Sequence, residues 1–77
     1  MRLLIVEDEK ELCDTISKSL YGSGYEIDTC YDGHEALDYI LTEDYDLIVL
    51  DLNLPGMDGM DILRELRKEN EETKVLI

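Results

Sequence analysis

The sequence predicts an α/β fold, a parallel sheet with helices packed on both faces, in the order βαβαβαβ. Two observations predict it. Leu3-Leu4-Ile5-Val6 and Leu47-Ile48-Val49-Leu50 are short unbroken apolar runs, the pattern of strands buried on both faces. The stretches that follow such runs carry apolar residues at helical spacing instead. Strands alternating with helices of this length imply right-handed crossovers and therefore parallel strands.

The first apolar run leads into Lys10 to Leu20, where Leu12, Ile16 and Leu20 form a stripe at i, i+4 and i+8. Gly22 and Gly24 then break the chain. Tyr25 to Cys30 alternates apolar and polar residues, as a half-exposed edge strand does. Asp32 is a fitting helix N-cap, with Glu35 three residues on as in a capping box. Ala36, Leu37, Ile40 and Leu41 supply that helix's apolar face. After the second apolar run, residues 51 to 59 form a loop rich in Asp, Asn, Pro and Gly. Asp58 can cap a third helix, with Ile62, Leu63 and Leu66 facing inward and Arg64, Arg67 and Lys68 towards its C-terminus, where positive charge suits the dipole. Lys74 to Ile77 reads as a fourth strand.

Seventy-seven residues make one domain at most. A chain of this size buries only about 60% of its unfolded surface, so its stability is marginal. Twenty acids against seven bases give a net charge of −13, which opposes direct binding of this segment to nucleic acid. No apolar run is long enough for a membrane span or a signal peptide, and a cytoplasmic location is expected. Cys13 and Cys30 match no metal-ligand spacing and read as reduced thiols.

The chemistry concentrates where strands end. In open α/β sheets the site lies beyond the carboxyl ends of the strands, where the strand order reverses. The first strand ends in Glu7-Asp8, followed by Glu9, and the third ends in Asp51. If those strands are neighbours, their carboxylates converge, and like charges that close need compensation. A hard cation with oxygen ligands, Mg2+, supplies it. An aspartate beside Mg2+ is a competent phosphoryl acceptor, so the pattern points to phosphoryl transfer onto Asp51.

Leu4-Ile5-Val6-Glu7-Asp8-Glu9, followed by Asp51-Leu52-Asn53-Leu54-Pro55-Gly56-Met57-Asp58-Gly59, resembles the receiver domain of bacterial two-component response regulators. The second block is the more specific of the two, and the resemblance covers residues 1 to 77. It implies a flavodoxin-like, doubly wound sheet, here with strand order 2-1-3-4. It implies Asp51 as phosphoacceptor, Asp8 and Asp51 as Mg2+ ligands, the Asn53 backbone carbonyl as a third, and Glu7 acting through a bound water. It also implies a sensor histidine kinase as donor and an output domain, with DNA-binding transcription regulation suggested by the opening Met1 to Glu9. The role is that of a signalling phosphoacceptor, not an enzyme. The family pattern further places a Ser or Thr after the fourth strand and a Lys after the fifth, both touching the phosphoryl group. Residues 1–77 include neither, nor the fifth strand and last helices, so they read as a partial receiver domain expected to be impaired in phosphorylation.

Three other functions compete for these residues. An EF-hand loop opening at Asp51 would need an acid or amide at its fifth position and Glu at its twelfth, where Pro55 and Ile62 stand. A phosphatase of the haloacid-dehalogenase type would need a second acid two residues after the nucleophile, where Asn53 stands. A receiver-like interaction module without phosphorylation has no use for the acids at Glu7, Asp8 and Asp51, which argues against it for the whole protein; for residues 1–77 alone it stands as the second reading. Pro55, Gly56 and Gly59 read as turn geometry, Met57 as packing and His34 as exposed and inert. The fourth strand, Val75-Leu76-Ile77 guarded only by Lys74, is expected as an apolar edge, so a homodimer or other homo-oligomer is expected.

Overall fold

Strand β1 (Arg2–Val6) runs through the interior of a four-stranded sheet, with β2 (Glu26–Cys30) on one side and β3 (Leu47–Leu50) on the other; β4 (Lys74–Leu76) lies beyond β3. All pairings are parallel and the order is β2-β1-β3-β4, as expected. The computed structural model describes residues 1–77. Three helices connect the strands: α1 (Lys10–Leu20), α2 (Gly33–Thr42) and α3 (Gly59–Glu69).

Alternation along β1 sorts the core into two layers. Leu4 and Val6 join Ile48 and Leu50 against Ala36 and Ile40 of α2 and Ile62 and Leu66 of α3. Leu3 and Ile5 point the other way, against Cys13, with Ile16 and Leu20 of α1 packed around them. Leu3, Leu4 and Ile5 are completely buried. Burying a side chain of this size contributes about 1.5–3 kcal/mol.

Caps and turns set the element ends. Asp32 accepts a hydrogen bond from the Glu35 N–H at 2.8 Å, and Asp58 accepts one from the Met60 N–H at 2.9 Å. Between α1 and β2 the chain reverses through Gly22 and Gly24, both with φ near +90°, a region cheap only for glycine.

Two expected faces need correction. Leu12 is 43% exposed and Leu41 is 52% exposed. The buried stripe of α1 is Cys13, Ile16 and Leu20, and that of α2 is Gly33, Ala36 and Ile40. Both follow i, i+3, i+7. A helix lying on a flat sheet makes contact along one narrow stripe, so an apolar residue one position off it stays wet. At the edges, β2 begins at Glu26 and not Tyr25, and β4 ends at Leu76 and not Ile77. The charge at Asp28 is not free along the edge of β2: its carboxylate accepts from Arg2 at 2.8 Å and from the Tyr45 hydroxyl at 2.7 Å.

Candidate functional site

The register of the sheet builds the site. Val6 pairs with Cys30 on one side and with Leu50 on the other. The ladder runs one step further on both: the Glu7 N–H donates to the Cys30 carbonyl at 3.1 Å, and the Asp51 N–H donates to the Val6 carbonyl at 3.0 Å. Glu7 and Asp51 therefore emerge side by side at the carboxyl ends of β1 and β3. From β1 the chain goes to β2 on one side and later to β3 on the other, so this is also where the strand order reverses.

Glu7, Asp8 and Asp51 each present a carboxylate oxygen within 4.8 Å of the other two. None of the three forms an ion pair with Lys or Arg. Glu9, the remaining acid of the first block, is exposed and stands outside this group as the N-cap residue of α1. The Glu7 carboxyl is pushed above its ordinary range, first by burial and then by the charges of Asp51 and Asp8; the Glu9 N–H, donating to Oε1 at 3.1 Å, opposes this. Asp51 is half-buried, and its Oδ1 accepts from the Asn53 N–H at 3.0 Å. Asp8 and Asn53 are exposed. Three acid oxygens with no cationic partner fit the oxygen donor set of a hard divalent cation.

The loop after Asp51 is more tightly built than turn residues alone imply. Gly56 has φ +85°, as a turn glycine should. Gly59 opens α3 and is buried; a Cβ there would lie 2.7 Å from the Leu52 Cα and 2.9 Å from the Asp51 carbonyl oxygen. Its role is close approach, not turn conformation. His34 is exposed, as expected, with its ring against Gly56. Sequence reasoning passed over Gly33, which touches this loop from α2. The Asp32-Gly33 pair at a helix start was a signal for the cap alone.

Over residues 3–77 the chain matches the response regulator receiver domain. It belongs to that family. Among relatives of this receiver chain, the transcriptional regulatory protein DltR of Streptococcus agalactiae is 43% identical over 76 residues, a match covering 99% of this chain and 34% of DltR. The response regulator TrrA from Thermotoga maritima, solved in complex with Mg2+-BeF, superposes with a TM-score of 0.89 at 38% identity, covering 96% of this chain and 64% of TrrA. A second structure, of the histidine kinase ThkA in complex with TrrA, contains a chain that matches with a TM-score of 0.86 at 38% identity over 96% of the receiver chain. The chain thus spans about a third of the curated relative's length. No helix is long and apolar enough to cross a membrane.

Proposed function

We propose that Asp51 accepts a phosphoryl group from a sensor histidine kinase, with Mg2+ held by Asp8, Asp51 and the Asn53 backbone carbonyl, and with Glu7 acting through a bound water. The observation that carries this reading is the convergence of Glu7, Asp8 and Asp51 within 4.8 Å where the strand order reverses. The Mg2+ complex of TrrA and its complex with a kinase support it by analogy. Bound Mg2+ would neutralise charge on the incoming phosphoryl group and the carboxylates together.

The chain's own residues divide the work. The Asn53 N–H fixes Asp51 Oδ1, leaving Oδ2 to attack phosphorus. The phosphorus–nitrogen bond of the donor phosphohistidine breaks, the imidazole leaves with the bonding electron pair and takes up a proton, and Asp51 becomes an acyl phosphate. Glu7 and Asp8 supply negative oxygens that would hold the cation at the rim. Phosphorylation would control an output domain outside these residues, in the cytoplasm; a transcription-regulating output is in keeping with DltR, a transcriptional regulatory protein, and DNA binding is what the family resemblance suggests for it. Residues 1–77 alone would associate as a homodimer or other homo-oligomer, with the β4 edge as the contact.

Intact mass after treatment with a small phosphodonor tests the reading. The full-length gene product gains one phosphoryl group and its Asp51→Asn variant gains none. A gain that survives Asp51→Asn would reject Asp51 as the acceptor.

A further inference from the structure

The N-terminus of α2 touches the loop that follows Asp51. The first N–H groups of a helix have no partner within it. Here the Gly33 N–H, at the first helical position, donates to the Pro55 carbonyl at 3.0 Å, and the Met57 N–H donates to the same oxygen at 3.1 Å. The approach is close enough to exclude any side chain at Gly33. A Cβ there would lie 2.3 Å from the Met57 carbonyl oxygen, 2.6 Å from its Cβ and 2.8 Å from its Cα. Two of those atoms belong to the backbone, so the loop itself would have to move.

We propose that Gly33 is a positioning residue for the Asp51 site: bare of side chain, it lets α2 clasp the loop and keep the Asn53 backbone in register with the Asp51 carboxylate. The chain of contacts is short. Pro55 is two residues beyond Asn53, and the Asn53 N–H bonds Asp51 Oδ1 at 3.0 Å. Gly59 braces the loop's other end against Leu52 and Asp51. A loop fixed at both ends presents Asn53 in one place. The inference rests on the metal-assisted reading above for its consequence, but the clasp itself stands on metal-free geometry.

An ordinary helix-start glycine behaves oppositely, because alanine there improves helix propensity and leaves the loop undisturbed. The test uses amide spectra of the 15N-labelled 77-residue chain in wild-type, Gly33→Ala, Ile16→Val and Asp51→Ala forms. Ile16→Val perturbs the core on the opposite face of the sheet, so it reports what general destabilisation does. In wild type, Mg2+ shifts the Asn53 amide, and Asp51→Ala abolishes the response. Gly33→Ala raises the Mg2+ midpoint roughly 10- to 100-fold, the range found for groups that orient metal ligands, while Ile16→Val leaves it unchanged. Without metal, Gly33→Ala displaces the resonances of residues 52 to 57 and Ile16→Val does not. Wild-type loop resonances and a wild-type midpoint in Gly33→Ala would overturn the proposal. If wild type and Asp51→Ala respond alike to Mg2+, the metal reading fails separately, and the metal-free loop resonances still decide the clasp. Should Gly33→Ala not fold, hydrogen exchange in wild type decides. The Gly33 amide exchanges more slowly than that of His34 if it is bonded to Pro55, and equally fast exchange overturns the clasp.

Discussion

Glu7 stands just past the end of β1 and Cys30 ends the neighbouring β2, and burial acts on both in the same direction, disfavouring the charged form. At Cys30, which is fully buried, burial leads and the charges of Glu35 and Asp32 add to it, raising the thiol from 9.0 to about 12. The Tyr45 phenol is pushed up too, by burial and by its bond to Asp28. A group that stays protonated when folded but ionises when unfolded contributes stability below its unfolded pKa. That contribution is lost as pH rises from the unfolded value to the folded one. Stability should therefore fall between pH 9.0 and about 12, where the unfolded thiol ionises and the folded one does not. Urea midpoints measured from pH 8 upwards check this: the slope is shallower in Cys30→Ala, and an equal slope in both proteins contradicts it. Glu7 and Asp51 were legible in the sequence because each directly follows an apolar run, with Asp8 next after Glu7, and a strand's end fixes where the next side chains emerge. Arg2, Tyr45 and Gly33 were not. Arg2 gathers Glu43, Asp28 and the Tyr45 ring at the opposite end of the sheet, partners 26 to 43 residues away that no local pattern links.

Element boundaries followed local chemistry, whereas helix faces depended on what each helix meets. All four strands and three helices stand where the apolar runs and caps placed them, within a residue at the ends. Leu12 and Leu41 satisfied the apolar spacing but fell outside the contact stripe, because periodicity gives the face only to within one position. Ile40 and Leu41 make the contrast measurable on a single helix. Ile40 is 8% exposed and belongs to the core around Leu4 and Val6; Leu41 is 52% exposed. Ile40→Ala should cost about 2–5 kcal/mol through lost burial and a cavity. Leu41→Ala should change stability by less than about 0.5 kcal/mol. Chemical denaturation of both variants checks the pair, and similar losses would mean that α2 sits rotated from the orientation described.

Across the whole molecule the sheet is covered unevenly. Two helices pack on one face, while α1 alone covers the other, where Leu47 and Val49 are only partly buried. Beyond them Leu76 is 59% exposed and Ile77 is 66% exposed on the β4 side. An apolar strand edge is a template for pairing with another chain. Recovering a few hundred Å2 of apolar burial at about 25 cal/mol per Å2 is comparable to a small domain's stability. The net charge of −13 opposes association, and salt screens it. Light scattering on the 77-residue chain should therefore show a dimer that tightens as salt is added. A well-folded monomer at high concentration and high salt would contradict this.

Whether Asp51 carries the phosphoryl group is decided by locating the modification. Borohydride reduces an acyl phosphate on aspartate to homoserine, which peptide mass spectrometry reads at a single position. After phosphodonor treatment and reduction of the full-length gene product, homoserine is expected at position 51 and nowhere else among residues 1–77. Conversion at Asp8 or at any other aspartate, with Asp51 intact, would contradict the account.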